Sequence, residues 1–152
     1  MRRRYFAYGL NLDIASMAER CPKARLVGTA ELGGYRFAVN RLGLATVLPA
    51  ARCRVLGVLW SVTPRDEESL DSFEGVLENL YVKERIRLSI AGKTTSALIY
   101  RAVESRPGPP RQGYLENIIA AARTHGFSDD YITEISSFRN RTGRASSADS
   151  VE

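Results

Sequence analysis

The chain has 152 residues, 44% of them hydrophobic and 26% charged, ordinary values that exclude wholesale disorder and fit one domain with one core. The longest apolar runs, such as Val55–Trp60, are far too short to cross a bilayer, and Met1-Arg2-Arg3-Arg4 leads into a strand-like segment with no apolar signal region, so a cytoplasmic protein without a membrane partner is expected. The net charge of +5 gathers at the ends, in Arg2–Arg4 and in Arg139, Arg141 and Arg144; no basic helix stripe and no aromatic-basic alternation accompanies it, so no nucleic-acid partner is expected.

Tyr5-Phe6-Ala7-Tyr8 is a short apolar strand ending at Gly9, with Asn11 or Asp13 available to cap a helix near Ile14–Arg20 that Pro22 stops. Strand-like segments follow at Arg25–Leu32 and Tyr35–Asn40, with Gly33-Gly34 between them reading as a hairpin turn. Leu44–Leu48 and Arg54–Val62 continue the series. Six closely spaced strands before any long helix argue against a doubly wound parallel sheet. Thr63-Pro64-Arg65-Asp66 is a helix start with a threonine cap, proline at the first helical position and acids in the first turn; the helix should end near Phe73 or Glu74, before Gly75. Tyr81–Ile90 and Thr95–Val103 form a hairpin around Ala91-Gly92-Lys93, and the loop from Arg106 to Arg111 is proline-rich. Two amphipathic helices, Tyr114–His125 and Asp129–Phe138, complete the pattern; the first should bury Leu115, Ile118, Ile119 and Ala122. The expected domain spans residues 1–138, and residues 139–152 read as a flexible tail rich in Arg, Ser, Gly and Asp.

Catalytic chemistry is narrowed by scarcity. There are two cysteines, Cys21 and Cys53, in no Cys-x-x-Cys pairing, and one histidine, His125, beside a helix-stopping Gly126. No metal site is expected from so few ligands, and neither a Ser-His-Asp nor a Cys-His arrangement is supplied. Proton chemistry would have to rest on a carboxylate or a tyrosine.

Three places could host it. The segment Tyr8-Gly9-Leu10-Asn11 turns from strand to helix. That junction is either a plain turn or a set of backbone N–H groups suited to a carboxylate or a developing oxyanion. Glu74 is either a solvated helix-end residue or a carboxylate drawn toward the core with Leu70 and Phe73, where burial and the negative end of the helix dipole would raise its pKa. Asp71, three residues earlier, is expected to face water. Tyr114 follows the proline-rich loop and either packs in the core or points its hydroxyl into a cleft.

In order and spacing these segments resemble the γ-glutamylcyclotransferase family, with its AIG2-like and γ-glutamylamine cyclotransferase relatives. The family's Tyr-Gly-Ser-Asn loop stands here as Tyr8-Gly9-Leu10-Asn11, and its Asp-x-x-Glu-Gly-Val motif as Asp71-Ser72-Phe73-Glu74-Gly75-Val76, with Tyr81 seven residues past Glu74. Similarity also runs through Leu44–Val47, Val55–Trp60, Pro110 to Tyr114, and Gly126-Phe127 to Tyr131. The resemblance implies an α+β fold, a small mixed β-barrel flanked by helices, and a cofactor-free enzyme acting on a small γ-glutamyl amino acid, peptide or amine as monomer or homodimer. The substrate's own α-amine attacks its γ-carbonyl to give 5-oxoproline and the free amino acid or amine. By the same resemblance Glu74 is the proton shuttle, and Tyr8, Gly9, Leu10, Asn11, Tyr81 and Tyr114 bind substrate. Leu10 departs from the family's serine, which puts the substrate in question more than the reaction; the alternative is a non-catalytic binding or regulatory module of the same fold.

Overall fold

A computed structural model describes residues 1–141. Five strands form a closed barrel in the order β1-β3-β2-β4-β5: β1 (Arg3–Ala7), β2 (Arg25–Val39), β3 (Ala45–Val62), β4 (Tyr81–Ile90) and β5 (Lys93–Ala102). Neighbours are antiparallel except β1 and β5, which meet in parallel at Tyr5 and Leu98 and close the ring. Among the described residues four α-helices flank it: α1 (Ile14–Arg20), α2 (Pro64–Phe73), α3 (Tyr114–Thr124) and α4 (Asp129–Ser136). The fold is therefore the expected α+β barrel. None of these helices is long and apolar enough to cross a membrane.

Strand β3 organises the core. Val58, Leu59 and Trp60 are consecutive and all buried, so both faces of the strand are covered, because successive side chains point to opposite sides of a sheet. Helix α3 buries Leu115, Ile118, Ile119 and Ala122 in the core, the four positions its periodicity selects, and packs against the Leu10–Leu12 turn and α4. The hairpin at Ala91 and Gly92 forms as its turn residues dictate, both with positive φ.

Two segments differ from expectation. Gly33-Gly34 is not a hairpin turn: β2 runs unbroken through it, and the register against β3 shifts between Gly33 and Tyr35. The reversal falls instead at residues 40–44, where the Asn40 side-chain oxygen accepts from the amides of Leu42 (3.0 Å) and Leu44 (3.1 Å) and Gly43 takes φ +81°. A local side-chain bond of this kind organises a turn more firmly than two glycines, which here accommodate a bulge. Accordingly the expected strands at Leu44–Leu48 and Arg54–Val62 are one strand, β3, with Pro49 tolerated beside the bulge. At the far end a 3-10 turn spans Ser137–Arg141, with Arg139 paired to Glu116 at 3.4 Å; the rest of the expected tail, residues 142–152, lies outside the described residues.

Gly57 shows how closely β1 and β3 approach. A Cβ there would overlap the Ala7 carbonyl oxygen and come within 2.6 Å of the Phe6 ring, whereas a Cβ on Gly33 would meet nothing within 4 Å. Gly57→Ala should therefore cost about 1–3 kcal/mol, lowering Tm by roughly 2–4 °C per kcal/mol, while Gly33→Ala leaves Tm unchanged or slightly raised. Thermal denaturation of the two variants checks this; equal Tm values would contradict it.

Candidate active site

Strand β1 delivers the first wall of the site. After Ala7 the chain passes through Tyr8 and Gly9 into a 3-10 turn, Leu10–Leu12, closed by Leu12 N–H on the Gly9 carbonyl (3.0 Å) and Asp13 N–H on that of Leu10 (3.1 Å). Asp13, not Asn11, then caps α1 by accepting from the Ser16 amide at 2.9 Å. Asn11 is only 3% exposed. Its Nδ2 donates to Tyr5 Oη (2.9 Å), its Oδ1 accepts from Arg20, and its carbonyl accepts from Trp60 Nε1 (3.0 Å). Asn11 thus fastens the turn to the barrel and to α1, and most of its side-chain bonding capacity is used inside the protein. Among the described residues the amides of Leu10 and Asn11 have no backbone acceptor outside the turn itself.

The second wall comes from α2. Thr63 and Asp66 form a reciprocal capping box with Pro64 in the first turn. The helix ends at Glu74, its C-cap, followed by Gly75 at φ +65°. Glycine is required there twice over, by the backbone and because the Leu80 side chain lies 2.8 Å from where a Cβ would be. The helix is clamped by charge: Glu67 accepts from Arg3 (2.7 Å) and Lys83 (2.6 Å), and Asp71 from Lys83 (3.0 Å) and Tyr100 Oη (2.6 Å). Asp71 does not face water as expected; its side chain is 33% exposed and engaged with β4 and β5. Helical periodicity puts Glu67 and Asp71 on one face, but only the barrel decides that Lys83 lies beneath it.

Between the walls lies a cavity of about 280 Å³. All seven residues singled out in the sequence, Tyr8, Gly9, Leu10, Asn11, Glu74, Tyr81 and Tyr114, line it. So do seven that were not: Tyr5, Leu44, Ala45, Phe73, Leu80, Tyr100 and Arg111. Tyr5 and Tyr100 read as ordinary strand core in the sequence, and nothing in the proline-rich loop marks Arg111. Ala45, the first residue of β3, is held at both polar atoms: its carbonyl accepts from Tyr81 Oη, and its amide donates to Tyr114 Oη at 2.8 Å. Tyr8 Oη donates to the Tyr100 carbonyl at 2.6 Å.

The electrostatics separate the tyrosines from the glutamate. Burial pushes the phenols of Tyr5, Tyr8, Tyr81 and Tyr100 well above their usual value, and that of Tyr114 up to about 12. All five stay protonated at neutral pH and act as hydrogen-bonding groups rather than bases. Burial raises the Glu74 carboxyl from 4.5 to about 7, with Arg20, stacked 3.6 Å over the Phe73 ring, opposing the shift. Glu74 is thus poised between its two protonation states near neutrality, where a carboxyl best accepts and returns a proton. Among the described residues no group of three or more His, Cys, Asp or Glu side chains is placed to hold a metal ion. His125 is a helix C-cap whose Nε2 lies 2.6 Å from the Leu12 carbonyl, outside the cavity.

Sequence comparison places the chain in a family. The AIG2-like family profile matches residues 54–135, more than half of the chain, and the chain belongs to that family. It is similar to curated proteins named gamma-glutamylcyclotransferase: 26% identical to one from Mus musculus, covering 97% of this chain and 85% of the relative, and 27% identical to one from Homo sapiens, covering 84% and 73%. A solved gamma-glutamyl cyclotransferase superimposes with a TM-score of 0.83 at 24% identity, covering 90% of this chain and 87% of its own, which establishes the shared fold.

A carboxyl that titrates near 7 when folded but near 4.5 when exposed keeps its proton to higher pH in the folded state. Its contribution to stability therefore falls as pH rises through that window. Glu74→Gln cannot ionise, so its Tm relative to the native chain should rise between pH 5 and pH 8. A Tm difference that stays constant across that range would show that Glu74 is not raised.

Proposed function

We propose that the protein is a cofactor-free cyclotransferase that converts a γ-glutamyl amino acid, peptide or amine to 5-oxoproline and the free amino acid or amine. The observation that supports it most is the pairing, in one cavity, of a carboxyl with pKa about 7 and phenols that stay protonated. The substrate carries its own nucleophile, so no serine or cysteine nucleophile is called for. Closing its α-amine onto its γ-carbonyl makes a five-membered ring, and enclosure in a cavity of this size favours the folded conformer. Well-oriented intramolecular attack is worth up to about 7–11 kcal/mol.

In this reading ionised Glu74 takes a proton from the substrate α-ammonium. The free amine attacks the γ-carbonyl, a tetrahedral centre forms, and the C–N bond to the leaving group breaks. Both protons that the α-nitrogen sheds on becoming a lactam N–H end on the leaving nitrogen, with Glu74 as carrier. The amides of Leu10 and Asn11 hold the anionic parts of the substrate, a carboxylate or the developing oxyanion. Tyr8, Tyr81 and Tyr114 shape the pocket, and with Gly9 in the wall the backbone comes close to the ligand. Leucine at position 10 is compatible with this role because the donor is a backbone group.

Leu10 also favours a second reading, a binding module that keeps the pocket without turnover. Incubation with a panel of γ-glutamyl amino acids and amines, with 5-oxoproline measured by chromatography, separates the two. The cyclotransferase reading expects product, a rise of kcat/KM with pH centred near 7, and a loss of about 10²–10⁴-fold in Glu74→Gln. Native rates in that variant contradict the shuttle; ligand binding without product supports the binding module.

A further inference from the structure

Arg111 is the one cation among the described residues that line the cavity, and no role has been assigned to it. It is held at its base. Its amide donates to the Gly43 carbonyl (3.2 Å), its Nε to the Leu42 carbonyl (2.9 Å), and its carbonyl accepts from the Tyr114 amide (3.1 Å). The stem lies so close to Gly43 that a Cβ there would sit 2.6 Å from Arg111 Cγ. Nη1 and Nη2 have no partner among the described residues. Arg111 is exposed while also lining the cavity, so a preset guanidinium with two free donor groups stands at the mouth. The same cavity has an apolar share in its lining: Leu10 and Leu44 are half-buried, and Phe73 and Leu80 are 42% and 41% exposed.

Glu74 and the Leu10 and Asn11 amides are matched by the glutamyl part of a substrate. Arg111 and the leucines are not, which leaves them for the part that departs. Resting on the cyclotransferase reading above, we propose that the leaving group is an amino acid with an apolar side chain: Arg111 is a specificity-determining residue that reads its carboxylate, and Leu10, Leu44 and Leu80 take its side chain. A fixed guanidinium pairs with a carboxylate through charge-assisted bonds that a neutral alkylamine cannot make. The leucine that replaces the family's serine at position 10 enlarges the apolar surface offered to the side chain.

The test uses full-length Glu74→Gln protein, so that ligands bind without turnover, and isothermal calorimetry with three compounds. γ-Glutamylleucine is compared with γ-glutamyl-3-methylbutylamine, which lacks only the carboxylate, and with γ-glutamylglycine, which lacks only the side chain. Each omission should weaken binding about tenfold or more. Adding Arg111→Gln should erase the preference over the amine but keep the preference over the glycine compound, and Arg111→Lys should restore part of the first. Equal binding of leucine and amine compounds, a preference that survives Arg111→Gln, or no binding by any of the three overturns the proposal. The native chain is assayed in parallel for 5-oxoproline: no product from γ-glutamylleucine, alongside the expected binding pattern, counts against the cyclotransferase reading and leaves the ligand specificity standing.

Discussion

Helix α2 is held to the barrel by side-chain charge, not by a sheet ladder. Glu67 and Asp71, one turn apart on its inner face, share Lys83 of β4, while Arg3 of β1 and the Tyr100 hydroxyl of β5 complete the network. Exposed ion pairs contribute little individually, but Glu67 is only 10% exposed. Burial opposes its ionisation, and the bonds from Arg3 and Lys83 outweigh that and hold its carboxyl below the ordinary range. Three strands are thereby tied to one helix, and the position of the helix end follows. Gly75 under Leu80 stops the helix sharply, so Glu74 falls at the cavity.

The same network reaches the other wall. The Tyr100 hydroxyl donates to Asp71, and its backbone carbonyl accepts from the Tyr8 hydroxyl. Tyr8 begins the turn that Asn11 anchors to Tyr5, Arg20 and Trp60. Arg20 in turn stacks on Phe73, next to Glu74. The cavity is thus bounded by a closed circuit of bonds through β1, α1, α2 and β5. Such a frame holds its polar groups in place before a ligand arrives, which is the condition under which oriented donors assist a reaction. It also keeps the carboxyl in a low-dielectric setting, where ionisation is costly and the pKa rises.

Much of this was legible in the residues themselves. The Tyr8–Asn11 turn, the capped start of α2 and its end at Glu74 follow from local chemistry: glycine, a threonine cap, a proline and an apolar periodicity. Their meeting in one cavity followed from ordered motif resemblance rather than from any local rule. Tyr5, Tyr100 and Arg111 could not be assigned in advance, because their place depends on which distant strands become neighbours. Tyr5 pairs in parallel with Leu98 of β5 to close the barrel, and alternation within a strand does not encode its partner. Asp71 was misread for the same reason: the charge across from a helix face belongs to another element. Gly33-Gly34 failed as a turn because Asn40 supplied a better one seven residues later.

All of these lines meet at the protonation of Glu74. Infrared difference spectroscopy of protein labelled with ¹³C at its glutamate side-chain carboxyls, titrated with pH and compared with labelled Glu74→Gln, isolates that one group. The account predicts a protonated carboxyl band that is lost with a midpoint near pH 7 in the native chain and is missing from the variant. A Glu74 band that disappears with a midpoint near 4.5 would contradict it, because the group would then be an ordinary solvated carboxylate with no proton to return at neutral pH.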